Sequence, residues 1–506
     1  MLKFHSTVSR RDFMKCLGMA TAGLGAAAAA TPVFHDMDEL MAAGGSSTPQ
    51  VKEKWPWWVK EREYLDSTTE VDWNILERYN RKAYNNTTAF YTPEHYQQVE
   101  AARHLMRVDR INRGYRPRTG DKGYGLRDYA LIVSGWMNSG GYPGYHKMLG
   151  EPDSRIFGVG TNFIPEGSPR WEGTPEENSH MMRVVSRLMG AGRVGFGQLH
   201  EATTKKMVQL NAGDAGSNNI VFEDVPKPYA ATGKWVMPNS CRYLLLPEIR
   251  MRREELLAPN SAMCRGMVGK AYSQIDIFGW RITSFMKAIG WNICSTSTSG
   301  LTPGRAGFAV LFGMGEMGRV HAQITPEFGP DIRCAMDTYT DLPLAQTNPI
   351  DCGMARFCQS CTKCADMCPG AALSYDKEQS WETGGYHTDY DNPDYFDASK
   401  FNQPGKKVFW LNHMACRSVW RNSDASCSIC YANCVFTKDR IASIHELVKP
   451  IVANTGIFNG FFFNMDKAYK YGEYSPYYLE AGYEPSDPDP YWEGYLPPVY
   501  GLSTNY

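Results

Sequence analysis

The chemistry in this chain is concentrated in its sulfur. Eight of its fourteen cysteines fall between residues 358 and 434. The first set, Cys358-x2-Cys361-x2-Cys364-x3-Cys368-Pro369, has the spacing with which bacterial ferredoxins wrap a [4Fe-4S] cubane, and a second set follows as Cys416 and Cys427-x2-Cys430-x3-Cys434. Eight thiolates in two quartets match two cubanes. In that pattern the fourth cysteine of each run ligates the other cluster. Cluster one therefore takes Cys358, Cys361, Cys364 and Cys434, and cluster two takes Cys368, Cys416, Cys427 and Cys430. The second set departs from a simple repeat, with ten residues between Cys416 and Cys427 and Val435 in place of proline.

A zinc reading of the Cys-x2-Cys pairs has no use for the triple run, because a structural zinc site needs four ligands. The scattered thiols Cys241, Cys264, Cys294, Cys334 and Cys352 read as small buried hydrophobes. A second motif is Gly313-Met314-Gly315-Glu316-Met317-Gly318, a G-x-G-x-x-G run with Asp337 about twenty residues on. It follows Phe308 to Phe312, a five-residue apolar run that reads as a buried strand. No helix is predicted after the glycines. Val320 to Thr325 looks strand-like, and a dinucleotide site needs a helix N-terminus facing the pyrophosphate.

Fifty-three Lys and Arg nearly cancel fifty-four Asp and Glu, so no broad basic field exists to attract nucleic acid. A length of 506 residues with 43% hydrophobic composition predicts two or three structural units. Near the N-terminus, Ser9-Arg10-Arg11-Asp12-Phe13-Met14-Lys15 precedes a mildly apolar stretch from Leu17 to Phe34, the pattern of a twin-arginine export signal. Ala28-Ala29-Ala30 and Met41-Ala42-Ala43 are alternative cleavage sites. Export of an already folded chain suits a cofactor assembled on reduced thiolates. No other stretch approaches the roughly twenty apolar residues that cross a bilayer, the nearest being Gly456 to Met465.

The elements that must position the sulfur are legible in outline. Trp55-Pro56-Trp57-Trp58 reads as a packing anchor. A helical stretch is predicted near His180 to Met189. Ile275, Phe278, Ile282, Phe285, Met286 and Ile289 recur at three and four, predicting a helix with one face on a core. Residues 376–407 and the tail after Tyr471 read as irregular surface chain, and Ile441 to Lys470 as helical chain returning to the core.

The twin-arginine leader, a body of some 300 residues and the late double-cluster module together resemble the respiratory corrinoid reductive dehalogenases, most closely those acting on chlorinated ethenes. Trp57-Trp58-Val59-Lys60, Trp171-Glu172-Gly173-Thr174-Pro175-Glu176, Gly315-Glu316-Met317-Gly318-Arg319 and Thr340-Asp341-Leu342-Pro343-Leu344 carry the likeness further. The resemblance implies an α+β fold: an α/β nitroreductase-like core binding a base-off corrinoid, with an inserted bacterial-ferredoxin-like module. The expected division is a signal peptide over 1–43, an N-terminal unit over 44–163, an insertion unit over 164–218, the corrinoid-binding core over 219–346, the double-cluster module over 347–440 and a C-terminal segment over 441–506. None of the eleven histidines has Asp two positions before it, so the D-x-H-x-x-G cobalt-ligand motif is absent, in keeping with a base-off cofactor.

The resemblance also implies a tyrosine proton donor at the start of the core helix, which Tyr272 matches, and a cationic partner, for which Arg333 stands at the family separation. A cation favours the phenolate that donation leaves behind. Arg319 and Arg305 are reserve candidates for that cation, or, with Gly315 and Gly318, for contact with the corrinoid, since Gly-rich turns admit a bulky ring. The family's polar pocket residue falls near Thr298 to Gly300, where this sequence departs from the pattern. The implied partners are a small halogenated substrate, a small integral-membrane anchor protein and an upstream electron donor, at the outer face of the cytoplasmic membrane. Two rival readings are an exported iron-sulfur electron-transfer subunit, which leaves 300 residues without a task, and an epoxyqueuosine-reductase-like enzyme, whose RNA substrate suits neither the leader nor the charge.

Overall fold

A computed structural model describes residues 55–80, 156–157, 170–212, 218–251, 261–296, 305–334, 338–383, 402–413, 415–416, 419, 427–437 and 443–468. The export signal, Asp337 and Thr298 to Gly300 lie outside the described residues. A short pair, β1 (Lys60–Glu61) with β14 (Ile350–Asp351), ties the N-terminal segment to the approach to the cysteine run. The central sheet contains β2 (Ile156–Phe157), β3 (Arg193–Gln198), β8 (Tyr243–Arg250), β9 (Ile293–Thr296), β12 (Ile332–Cys334) and β13 (Thr338–Thr340). β12 and β13 pair in succession along one edge of β8 and β3 pairs along the other, all antiparallel. A second sheet holds β4 (Asn211–Ala212), β5 (Asn218–Glu223), β7 (Lys234–Pro238) and β6 (Tyr229–Ala231) in that order. Helices pack on antiparallel strands, so the fold is α+β.

The predicted helix near His180 is α1 (Pro175–Leu188). Thr174 caps it by accepting from the Glu177 amide while the Glu177 carboxylate accepts from the Thr174 amide, a capping box. The expected insertion over 164–218 contains core: β3 is hydrogen-bonded along β8, and Val194 and Phe196 are buried. This correction has a local cause, because glycines that suggested surface chain serve close packing here. A Cβ on Gly197 would stand 2.1 Å from the Phe312 ring.

The predicted core helix is real and longer, α2 (Ala262–Ala288). Ile275, Phe278, Ile282 and Met286 pack with Met182, Phe196, Leu245 and Ile249. Its earlier turns turn Met263, Met267, Val268 and Ala271 inward, and Met267, Val268 and Ala271 form a separate cluster with Met251 and Ala432. The strand expected over Phe308 to Phe312 is instead α3 (Arg305–Leu311) and its terminal turn. An apolar run buried on all sides carries no period that separates strand from helix. The helical spacing stacks the Phe308 and Phe312 rings at 5.7 Å and 13°.

After the glycines the chain forms a tight hairpin, β10 (Glu316–Met317) with β11 (Gln323–Ile324). Among the described residues the hairpin leads to β12 and not to a helix, so the dinucleotide reading lacks its binding element. The cysteine run occupies α4 (Met354–Ser360) and α5 (Lys363–Asp366), and the last cysteines flank α6 (Ile429–Ala432). The predicted C-terminal helical region is two helices, α7 (Ser443–Asn454) and α8 (Asn459–Ala468), both packed on α4. Among the described residues no helix is long and apolar enough to cross a membrane.

Candidate functional site

The first quartet is assembled by two short helices and a return of the chain. Cys358 lies in α4, Cys361 caps it, Cys364 lies in α5 and Cys434 follows α6. All four are buried and together line a cavity with Val320, Ile324 and Phe357. Burial pushes the Cys364 thiol well up, and Cys361, Cys358 and Cys434 push it further. In the second quartet burial raises Cys427, with Cys430, Cys416 and Cys368 adding to it. Cys358, Cys361, Cys364 and Cys434 thus share one cavity, and Cys368, Cys416, Cys427 and Cys430 are electrostatically coupled to one another. None of the eight is in a disulfide.

Buried thiols that raise one another's pKa cannot ionise together unless cations join them. Among the described residues no three His, Cys, Asp or Glu side chains converge as the ligands of a single ion do. A cubane, with iron at separate corners, needs its sulfurs spread around a cavity, and the donor set fits that demand. Backbone amides add support: Ala372 N–H donates to Cys368 Sγ at 3.3 Å. Lys363, inside the Cys361-x2-Cys364 spacing, is buried and ion-paired with Asp466 of α8. That pair fixes the C-terminal helix to the cysteine loop.

The glycine-rich hairpin serves this loop. Arg319 is fully buried, and its Nε, Nη1 and Nη2 donate to the carbonyls of Cys361 (2.9 Å), Ser374 (2.5 Å) and Cys358 (2.6 Å). Its guanidinium lies 4.1 Å from the centre of the Phe409 ring. Glu316 Oε2 accepts from the amides of Cys352 and Met354 and from the Cys352 thiol, closing the N-terminus of α4. Cys352 is therefore buried as expected but also hydrogen-bonded. A Cβ on Gly315 would stand 2.5 Å from the Ile324 carbonyl, and one on Gly318 would strike the Ile324 side chain. Arg319, Gly315 and Gly318, expected at the corrinoid, are thus occupied in the hairpin and the cysteine loop. The glycines do admit close approach, but of the chain to itself. Arg305 opens α3, and its side chain lies outside the described residues.

The other predicted residues meet across three elements. Tyr272 lies within α2, not at its start, because Ser261 begins the helix by accepting from the Cys264 amide. Arg333, on β12, places its guanidinium 5.8 Å from the centre of the Tyr272 ring. It also lies 5.6 Å from the ring of Tyr431, on α6 beside Cys430. Burial opposes the Arg333 charge, but the facing Tyr272 and Tyr431 hydroxyls raise its pKa above the ordinary value. Burial pushes the Tyr431 hydroxyl up to about 12 against the pull of Arg333. Arg333 Nε has no hydrogen-bond partner among the described residues. The sequence reading missed Tyr431, whose only signal was its place inside the Cys430-x3-Cys434 spacing. A cavity of about 470 Å³ bounded by Asp66, Glu70, Trp73 and Trp381 contains none of these residues.

The family model for the reductive dehalogenase subunit matches residues 54–344, more than half of the chain. The chain belongs to the reductive dehalogenase family. Among curated members, the chloroethene reductive dehalogenase of Dehalococcoides mccartyi strain VS is 30% identical, covering 94% of this chain and 96% of that one. The tetrachloroethene reductive dehalogenase of Sulfurospirillum multivorans is 28% identical, over 92% and 91%. Of solved structures, the catabolic reductive dehalogenase NpRdhA superposes with a TM-score of 0.51 at 15% identity, over 81% of this chain and 49% of that one. Its complex with 3-bromo-4-hydroxybenzoic acid gives 0.52, over 82% and 49%. The chain spans about half the length of these structures and shares their fold.

Proposed function

We propose that this chain replaces halogen by hydrogen on a small organohalide of the chlorinated-ethene class, with two [4Fe-4S] clusters and a corrinoid as its cofactors. The observation that carries the reading is Arg333 held over the ring of Tyr272 on one side and over a residue of the cysteine module on the other. Full-length kinship to chloroethene and tetrachloroethene enzymes supports the substrate class. A solved relative described as dehalogenating by a B12-dependent mechanism supports the corrinoid. The unpartnered Arg333 Nε beside Tyr272 fits a site whose remaining partner the described chain does not supply.

The net reaction takes up two electrons and one proton and releases halide. When bound, the corrinoid would supply the low-potential cobalt that reduces the carbon–halogen bond. The chain does the rest. Its eight cysteines hold the electron path, and Tyr272 Oη gives its proton to the carbon that loses halogen. The resulting phenolate is stabilised by Arg333, which stays charged at any working pH. The leader implies export by the twin-arginine route, and with a small membrane anchor and an external donor the enzyme works at the outer face of the cytoplasmic membrane.

The test is turnover by anaerobically reconstituted protein with a low-potential donor on chlorinated ethenes, chlorophenols and 3-bromo-4-hydroxybenzoate. Halide release from the ethenes alone is expected. Release from the phenols alone would move the substrate class, and iron without cobalt at full activity would remove the corrinoid.

A further inference from the structure

A buried arginine usually stands beside a carboxylate, because an isolated charge is expensive to remove from water. Arg319 has none: among the described residues it forms no ion pair, and its donors go to three backbone carbonyls. Two of those carbonyls belong to Cys358 and Cys361, ligands of the first quartet. The hairpin also walls the cavity of that quartet, through Val320 and Ile324. A Cβ on Gly318 would come within 3.6 Å of Cys358 Sγ, so the hairpin backbone runs beside the sulfur. Glu316, three residues before Arg319, is turned to the amides that open α4. Burial raises its pKa, towards the neutral acid.

We propose that Arg319 is the built-in counter-charge of the first cluster and holds that cluster's reduction potential up. The proposal rests on the cluster reading above. A cubane bound by four thiolates is an anion, and it gains one further negative charge when it accepts an electron from the external donor. A fixed cation in a low-dielectric wall stabilises the reduced form more than the oxidised one. The Arg319 contacts run to the carbonyls of the first quartet's loop, so the larger effect should fall on that cluster. Such an offset would order the two clusters along the electron path. Arg319 is therefore a tuning and positioning residue and touches no substrate.

The test is a potentiometric titration of the purified holoenzyme, followed by electron paramagnetic resonance, with iron analysis on the same samples. In Arg319→Gln one midpoint should move negative, by enough to change the reduced-to-oxidised ratio about tenfold at fixed potential, about 59 mV for one electron. The other midpoint should move less. Two unmoved midpoints in iron-replete protein overturn the proposal. Should Arg319→Gln lose its iron, Arg319→Lys decides, since it keeps the charge and loses the fork. A midpoint near wild type then supports the counter-charge, and a tenfold lowering overturns it. Wild-type protein without cluster signals would instead remove the cluster reading itself.

Discussion

In the proposed function two arginines fourteen residues apart divide the work, and they are held in opposite ways, Arg319 fully buried and Arg333 only partly so. Arg319 spends its fork on three carbonyls and lies 4.1 Å from the centre of the Phe409 ring. Arg333 lies between two phenol rings with its Nε unpartnered among the described residues. A cation satisfied on every side fixes a loop. One left with an open donor is poised for a charge that is absent at rest, and a phenolate at Tyr272 is such a charge.

The sharpest break of this comparison is at the phenol. Tyr272→Phe keeps the ring under Arg333 and removes the proton. Turnover should fall about a thousandfold, within the range of lost general-acid catalysis, while iron content and cobalt binding stay unchanged. Near-normal rates would place the donor elsewhere. Arg333→Gln comes next, with a fall of about a hundredfold in kcat, near 3 kcal/mol of transition-state stabilisation. KM should change little, because the charge it answers does not exist in the bound substrate. A large rise in KM with kcat intact would make Arg333 a substrate-binding residue.

The same contrast separates what the sequence discloses from what it hides. The eight cysteines were legible as a candidate set because ferredoxin-type spacings are short and local, and the crossing of Cys434 and Cys368 is what that pattern implies. The role of Gly315 to Arg319 was not. Its partners, the carbonyls of Cys358 and Cys361, are distant in the chain and present no side-chain pattern. Glycines that admit a ring look the same in sequence as glycines that admit Ile324. The Phe308 to Phe312 run failed for a related reason, since burial on all sides erases periodicity. The core face of α2 was readable, yet its first turns face a different cluster and blurred the period, so Tyr272 was placed at a start that lies at Ser261.

On the structural side of the comparison, Glu316→Ala leaves the Cys352 and Met354 amides without their acceptor. Unsatisfied buried donors cost about 1 to 3 kcal/mol each, so a loss of about 2 kcal/mol in urea unfolding is expected after partial rescue by water. Fraying of α4 should also lower iron occupancy at the first cluster. Unchanged stability with normal iron would show that Gly353 and the packing on α7 and α8 suffice to start the helix.

The smallest effect is the most discriminating. Tyr431 can hold Arg333 through its ring or through its hydroxyl, and Tyr431→Phe separates the two. The ring contact at 5.6 Å survives the change, while the hydroxyl that the guanidinium approaches is lost. A hydrogen bond to a charged group that retains its aromatic neighbour contributes about 1 kcal/mol net, so kcat should fall only about fivefold with KM unmoved. A loss as large as that of Arg333→Gln would mean that the hydroxyl alone aims the guanidinium. No loss at all would mean that α2 and β12 fix Arg333 over Tyr272 without help from α6. The cysteine module would then be joined to the proton donor by packing, and the Arg333–Tyr431 contact would serve the fold.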